Sequence, residues 1–100
     1  MLEVRQTTTF SEWLGALRDQ RAKAIIARRL LRLADGNFGD AKSVGDRVSE
    51  LRIDVGPGYR AYYTRKGTEV IVLLCGGDKR SQTADIRQAK EMAAQVHDGD

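Results

Sequence analysis

The side chains of this 100-residue sequence that are best suited to chemistry are its arginines. Twelve of the 17 basic residues are Arg and five are Lys. A guanidinium presents paired donors that match the oxygens of a phosphate group, whereas an ammonium is a strongly hydrated point charge. Residues 18–32 carry six basic side chains against one acidic side chain, and residues 60–80 carry five against two. This distribution leaves two interpretations open, contact with a polyanion such as nucleic acid or a basic solvated surface.

A patch of basic and aromatic side chains is predicted on one face of two neighbouring strands. Polar and apolar residues alternate along the first strand, so Glu50 and Arg52 lie on the same side, and Arg60 and Tyr62 share a side of the next. If this side is the open face of the sheet, guanidinium groups can bind phosphate oxygens and a tyrosine ring can stack on an unpaired base. The alternative is a solvent-facing sheet with cross-strand ion pairs, Glu50 or Asp54 with Arg60, each contributing roughly 0.2–1 kcal/mol. In either case an exposed Arg60 would contribute little to stability.

Signatures of metal and nucleotide chemistry are absent from the sequence. One His and one Cys cannot supply a zinc site, and no GxxxxGK[ST], GxGxxG or GxSxG motif occurs. Residues 76–79 (GGDK) have the composition of a phosphate-binding loop without the rest of its motif. His97 lies near the C-terminus, where fraying is expected, which makes it a weak candidate for a catalytic base. The sequence therefore predicts no metal site.

Two amphipathic helices are predicted in the first half of the chain, after a short strand over residues 2–6. Thr9 and Glu12 have the spacing of a capping box, which indicates a helix start at Thr9. A second helix is expected after Asp19, with arginines on its outer side. The apolar stripe of the first helix consists of Phe10, Trp13, Leu14 and Leu17. The inner face of the second consists of Ala22, Ile25, Ile26, Leu30 and Leu33.

The second half of the chain predicts a three-stranded meander followed by a helix. Its last strand is apolar on both faces, which is typical of an interior strand, and Gly76–Asp78 is expected to end it. The segment before the meander contains two glycines and no clear period, so it is expected to be a loop or a distorted connection. The predicted segments are a loop over 37–46, strands over 49–55, 59–65 and 69–75, and a helix over 81–96.

Together these elements predict one α+β domain over residues 1–100, in the order β-α-α-β-β-β-α. A helical hairpin packed on a small, mainly antiparallel sheet would form a two-layer structure. No run of 18 apolar residues could span a bilayer, and the first residues lack the apolar segment of a secretory signal. A single Cys fits a reducing compartment. We expect a cytoplasmic protein with no membrane partner.

Several stretches of the sequence resemble one family of bacterial toxins. VSELRIDVGPGYRAYY at residues 48–63 and VIVLLCGGDKRSQTADI at residues 70–86, preceded by GNFGDAKSVGDRVSEL, resemble the RelE/ParE superfamily of type II toxin–antitoxin modules. Within it, they are most similar to the HigB-like addiction module killer proteins. The resemblance covers nearly the whole chain, including FSEWLGALRD in the first helix, and implies a RelE/ParE-like fold of a small sheet with a helical hairpin.

The resemblance implies two different activities. RelE and HigB members cut mRNA in the ribosomal A site by attack of the ribose 2′-hydroxyl on the adjacent phosphate, whereas ParE members inhibit DNA gyrase without cleaving nucleic acid. We expect a ribosome-dependent mRNA endoribonuclease, with the non-catalytic gyrase inhibitor as the alternative. The nuclease would need no metal or organic cofactor, because arginines supply the positive charge that a metal would otherwise provide.

The resemblance also assigns candidate site residues. Arg60 matches an arginine of RelE that contacts the scissile phosphate, and Arg80 matches a second phosphate-stabilising arginine, with Lys79 beside it. The lysines, tyrosine and histidines that serve as acid and base in RelE and HigB proteins have no counterparts here, so Glu50 is the candidate base, assisted by Lys42 or Tyr62. The predicted catalytic residues are Arg60, Arg80, Lys79 and Glu50, and the predicted RNA-binding residues are Arg52, Tyr62, Lys42 and Arg47.

Both activities imply a cognate antitoxin, which in this branch resembles a helix-turn-helix DNA-binding protein (HigA-like). The antitoxin would neutralise the toxin by covering the arginine patch or by displacing the last helix. Operator DNA would be bound through the antitoxin and not by this chain alone. The other expected partner is mRNA on the ribosome.

Overall fold

The computed structural model describes residues 1–98, which form five strands and three α-helices. Residues 99 and 100, the end of the predicted domain, lie outside the described residues. In chain order the elements are β1 (Glu3–Gln6), α1 (Thr8–Ala16), α2 (Gln20–Ala34), β2 (Ala41–Gly45), β3 (Val48–Ile53), β4 (Tyr59–Lys66), β5 (Val70–Asp78), a short 3₁₀ helix (Lys79–Ser81) and α3 (Gln82–Val96).

The strands form one mixed sheet in the order β1-β5-β4-β3-β2. The pairs β2–β3, β3–β4 and β4–β5 are antiparallel, and β1 pairs with β5 in parallel. Three of the four pairings are therefore antiparallel, which confirms the expected α+β class and the mainly antiparallel sheet. In the register of β3 and β4, Arg52 is the partner of Arg60 and Glu50 is the partner of Tyr62.

Strand β2 lies inside the segment that the sequence predicts to be a loop, so that prediction is wrong. β2 is an edge strand whose residues are all exposed or half-buried. A strand without a buried face needs no hydrophobic alternation, and the period-two signal that identifies strands is therefore missing from its sequence. The element order becomes β-α-α-β-β-β-β-α, with one strand more than predicted.

The helices cover both faces of the sheet, which makes the structure three-layered and the predicted two-layer arrangement wrong. α1 and α2 pack on one face and α3 on the other. The third layer follows from β5, which is apolar on both sides and needs a cover on each. The first core contains Phe10, Ile26, Leu30, Leu33, Leu51, Ile53, Ala61, Tyr63, Ile71 and Leu73. The second contains Val48, Tyr62, Val72, Leu74, Cys75, Ala89 and Ala93.

Polar caps fix where the first two helices begin. Thr7, and not the predicted Thr9, caps α1, because its hydroxyl accepts a hydrogen bond from Phe10 N at 3.1 Å. The same hydroxyl donates to Leu74 O at 2.7 Å and so joins the start of α1 to β5. This second hydrogen bond explains why Thr7, and not Thr9, is the N-cap residue. α2 begins directly after Asp19, as the sequence predicts, and the Asp19 carboxylate caps it by accepting a hydrogen bond from Ala22 N. Within residues 1–98 no helix has the length and apolar character required to cross a membrane.

Gly76 and Gly77 lie within β5 and do not end it, contrary to the sequence prediction, and they form no phosphate-binding loop. A Cβ at Gly76 would overlap the ring of Trp13 in α1, and a Cβ at Gly77 would overlap the carboxylate of Asp85 in α3. Two adjacent residues without side chains therefore allow the helices on both faces to approach the same strand closely.

Gly76→Ala is expected to lower the free energy of unfolding by about 1–3 kcal/mol, because the added methyl group must displace the Trp13 ring. The matched control is Gly15→Ala in α1, where nothing lies within 4 Å of the added Cβ. Alanine favours a helix more than glycine does, so this variant should gain about 0.5–1 kcal/mol. Urea denaturation followed by circular dichroism measures both. Equal stability of the two variants would contradict the packing role of Gly76.

Candidate functional site

A surface cleft of about 300 Å³ opens where the end of β3, the start of β4 and the 3₁₀ helix meet. Three basic side chains line it, Arg52, Arg60 and Lys79, against two acidic side chains, Asp40 and Asp54. The lining therefore carries one more basic side chain than acidic ones. Its remaining lining residues are Ile53, Gly58 and Tyr59.

Arg60 is the buried cation of this cleft. The residue is only 6% exposed, and its Nη1 donates to Glu50 Oε1 at 2.8 Å. Gln82 Nε2, in the first turn of α3, donates to the same oxygen at 2.9 Å. Charge-assisted hydrogen bonds to ionised groups are about twice as strong as neutral ones. Glu50 therefore fixes the Arg60 guanidinium beside the cleft, and α3 fixes Glu50.

Glu50, Arg60 and Tyr62 share one face of the sheet, as the alternation predicts, but the predicted exposure of that face is wrong. Glu50 and Tyr62 are 0% exposed, because α3 covers this part of the sheet. A carboxylate without solvent access cannot take a proton from a substrate, and a fully buried ring cannot stack on a base. Glu50 instead positions the Arg60 guanidinium, Tyr62 packs in the core beneath α3, and Arg52 stays half-buried at the cleft.

The cluster beneath α3 contains buried polar atoms without a hydrogen-bond partner among residues 1–98. These atoms are Glu50 Oε2, Arg60 Nε and the Tyr62 hydroxyl. Burial, followed by the charges of Glu50 and Asp85, raises the pKa of Tyr62 above its ordinary value. Burial also raises the pKa of Cys75 to about 12, so this thiol stays protonated at neutral pH. The cluster is therefore structural and offers no nucleophile.

The adjacent residues Lys79 and Arg80 occupy different surroundings. Lys79 lines the cleft, whereas Arg80 is not part of its lining and has a side chain that is 88% exposed. The carboxylate of Asp78 accepts a hydrogen bond from Arg80 N at 2.9 Å and lies 3.7 Å from the Arg80 guanidinium. The role of Arg80 at a phosphate stays a prediction, while Lys79 lines the same cleft as Arg60.

The other predicted RNA-binding residues lie outside the cleft. Lys42 is exposed on the edge strand β2 and borders a separate pocket that Phe38 and Tyr63 also line. Arg47 is exposed in the turn between β2 and β3 and lines a third pocket. The predicted set of contacts is therefore divided among three regions of the surface.

His97 is half-buried and anchored, so the expectation that it frays is wrong. Its Nε2 lies 2.9 Å from Thr64 Oγ1. Gln82 and His97 lie at opposite ends of α3, which at 1.5 Å per residue separates them by about 22 Å. His97 is therefore too far from Arg60 to act in the same cleft. Residues 1–98 contain no group of three His, Cys, Asp or Glu side chains arranged to hold a metal ion.

Sequence analysis did not assign three of the cleft residues, Asp40, Asp54 and Tyr59, to the candidate site. Asp54 carried a signal, since the alternation of β3 places it on the same side as Arg52. Tyr59 begins β4, and its ring contacts Trp13 edge to face, with centroids 6.2 Å apart. No sequence pattern pointed to Asp40, because it precedes the edge strand β2 in a segment without hydrophobic periodicity.

Comparison with known proteins places the chain in a family. Residues 12–96 match the phage-derived Gp49-like proteins (DUF891). This chain belongs to the Gp49-like family. The family is of the toxin–antitoxin addiction-module type, which implies an antitoxin partner. An uncharacterised protein of Haemophilus influenzae is 50% identical over 95 residues, which cover 95% of this chain and 96% of that protein. The matched range of the Gp49-like family includes every residue that lines the cleft.

Arg60→Ala is expected to lower the free energy of unfolding by about 3–5 kcal/mol, because it leaves the Glu50 carboxylate buried without its cationic partner. The expectation that an exposed Arg60 matters little to stability is thereby corrected. Arg80→Ala, which removes an exposed guanidinium, should change stability by less than about 0.5 kcal/mol. Urea denaturation compares the two. Equal free energies of unfolding for the two variants would mean that the Arg60–Glu50 pair does not stabilise this part of the fold.

Proposed function

We propose that this Gp49-like chain is the toxin of its module and that it cleaves mRNA on the ribosome. The observation that carries the proposal is the convergence of Arg52, Arg60 and Lys79 on one cleft. The resemblance to RelE/ParE toxins of the HigB-like branch supports the same activity. The reaction is attack of the ribose 2′-oxygen on the adjacent phosphorus, which expels the 5′-oxygen of the next nucleotide and leaves a 2′,3′-cyclic phosphate.

Charge stabilisation is the principal task of the cleft in this reaction. Negative charge develops on the non-bridging phosphate oxygens in the transition state, and fixed donors stabilise it without reorganisation. Arg60 is fixed before substrate arrives, because Glu50 binds one of its nitrogens and burial restricts the rest. Arg52 and Lys79 belong to elements on either side of Arg60 and can reach the same phosphate group.

The residues that we assign to proton transfer differ from those that the sequence predicted. Burial excludes Glu50 and Tyr62 as base and assistant, and Lys42 lies at another pocket. The carboxylates of Asp40 and Asp54 are exposed and line the cleft, so one of them takes the 2′-hydroxyl proton. The Lys79 ammonium can donate a proton to the leaving 5′-oxygen.

The size of the site supports a requirement for the ribosome. The cleft, about 300 Å³, has room for few groups of an RNA chain, and the whole protein measures 38 × 30 × 23 Å. A site this small gains little affinity from substrate far from the reacting phosphate. A translating ribosome holds the mRNA in place and thereby supplies the orientation that the toxin lacks.

Lys79→Ala is expected to slow mRNA cleavage about 10²–10³-fold, the usual loss when one donor to a developing anion is removed. Cleavage is measured by primer extension on mRNA translated by purified ribosomes. Arg87→Ala removes one exposed charge from α3 outside the cleft and is the matched control. Arg80→Ala should slow cleavage less than about tenfold, since Arg80 does not line the cleft. A larger loss in Arg80→Ala than in Lys79→Ala would reverse the two assignments.

Failure of wild-type toxin to cut translated mRNA, while it still arrests growth, would contradict the nuclease. The alternative, a ParE-like inhibitor of DNA gyrase, then predicts gyrase–DNA breaks without RNA cleavage. Asp40→Asn and Asp54→Asn separate the possibilities further. A nuclease loses activity with one of these substitutions, whereas an inhibitor that acts by binding is not expected to depend on a carboxylate as a base.

The antitoxin is expected to be a helix-turn-helix protein, HigA-like, encoded by a neighbouring reading frame. Our expectation is that it covers the cleft, so the purified antitoxin should suppress cleavage at equimolar concentration. A gel mobility shift should show operator DNA bound by the antitoxin and by the complex, and not by the toxin alone. A complex that forms but leaves the promoter fragment unshifted would contradict the proposed route to DNA.

A further inference from the structure

Arg29 of α2 binds the backbone at one wall of the cleft, although it does not line the cleft itself. Its Nη1 donates to Arg52 O at 3.0 Å. The backbone N of the same residue, Arg52, donates to Asp40 O at 2.9 Å. Both polar groups of the Arg52 backbone are therefore bound on the side away from β4, one by Asp40 and the other by Arg29.

Arg29 supplies a donor at the point where the pairing of β2 with β3 stops. Ala41 is the register partner of Leu51, so continued antiparallel pairing would place Asp40 opposite Arg52. The N–H of Asp40 would then donate to Arg52 O. β2 begins at Ala41, and the guanidinium of Arg29 donates to that carbonyl. A side chain from α2 thus completes the edge of the sheet beside the cleft.

The chain that leads into β2 packs against the same guanidinium. Gly39 has a φ of 61°, in the left-handed region, and a Cβ at this residue would lie 3.0 Å from Arg29 Nη2. Nη2 is buried and has no hydrogen-bond partner among residues 1–98. A buried donor without a partner lowers stability, so burial alone does not favour an arginine here. The contacts with Arg52 and Gly39 are what this guanidinium provides.

We propose that Arg29 is a positioning residue of the cleavage site, which sets where Arg52 and Asp40 lie relative to Arg60. The inference rests on the proposed nuclease activity, in which Arg52 binds phosphate and Asp40 is one of two carboxylates suited to take the 2′-hydroxyl proton. A displacement of about 1 Å at such groups can slow a reaction about 10²-fold. Arg29 acts through its neighbours only, since it does not line the cleft.

The test is single-turnover cleavage of mRNA on purified ribosomes, followed by primer extension, with the toxin in excess. This experiment separates the maximal rate from the toxin concentration that gives half of it. Arg29→Met removes the donor and keeps a side chain of similar length. It should lower the maximal rate at least about tenfold and change the half-maximal concentration less than about twofold, because the groups that bind RNA remain.

Two further variants show whether the hydrogen bond is responsible. Arg29→Lys keeps a donor for Arg52 O, so its maximal rate should lie within about fivefold of the wild-type rate. Arg28→Met removes the same charge from an exposed position on α2 and is the matched control. Its maximal rate should lie within about twofold of wild type, since an exposed charge has little effect on its surroundings.

A pair of glycine variants tests the same contact with Arg29 in place. Gly39→Ala adds a methyl group beside Nη2 and should displace the guanidinium, so we expect the maximal rate to fall about threefold or more. Gly36→Ala is the matched control, because its φ of 83° imposes a similar strain and nothing lies within 4 Å of the added Cβ. In the Arg29→Met background, Gly39→Ala should have no further effect on the rate of the folded protein, since the guanidinium that it displaces is gone.

The ¹³C resonance of the Arg52 carbonyl reports the hydrogen bond independently of cleavage. It should shift upfield in Arg29→Met and in Gly39→Ala, which lose or weaken the donor, and stay unchanged in Arg28→Met and Gly36→Ala. Circular dichroism at the assay temperature shows which variants are folded. If Arg29→Met does not fold, the two glycine variants decide.

Either of two results would overturn the inference: equal maximal rates in Arg29→Met and Arg28→Met, or equal maximal rates in Gly39→Ala and Gly36→Ala. The wild-type protein distinguishes these outcomes from failure of the proposed function. If it does not cleave translated mRNA, the nuclease is contradicted and the role of Arg29 falls with it. If it does, the rates of the variants decide on Arg29 alone.

Discussion

The ion pair of Arg60 and Glu50 is the interaction on which the rest of this structure depends. Both partners are buried, so each must find its compensation inside the protein. Gln82 supplies part of it from the first turn of α3, which links the third layer of the fold to the pair. The position of α3, the orientation of the Arg60 guanidinium and the shape of the cleft are therefore set by one constraint.

The alternation of β3 and β4 could be predicted from the sequence, and the face on which Glu50, Arg60 and Tyr62 lie follows from it. The burial of these residues could not be predicted. The amphipathic pattern over residues 81–96 shows that α3 has an apolar side, but it does not show which surface that side covers. The apolar sequence of β5 was the available signal, since a strand that is apolar on both faces requires two layers. β2 could not be predicted for the opposite reason, since it is an edge strand without a fully buried residue and shows no hydrophobic alternation.

The candidate site was predictable to the extent that its residues lie on regular strands. Arg52 and Arg60 are register partners, so alternation brings them together. Lys79 and Arg80 are consecutive in a 3₁₀ helix that Asp78 caps, and of the two only Lys79 lines the cleft. No periodic pattern in the sequence predicts which of two consecutive residues lines the cleft. Asp40 is likewise brought to the cleft by the chain that leads into β2, where the backbone N of Arg52 donates to its carbonyl.

Gly77 is the register partner of Arg60 on β5, and this places the missing side chain directly beside the buried guanidinium. Asp85 of α3 occupies the space that a side chain at Gly77 would fill. A larger residue at this position would require the Asp85 carboxylate, or α3 itself, to move away from the sheet. The residue at this single strand position therefore sets how closely α3 can cover the arginine, and with it how much of the arginine meets solvent.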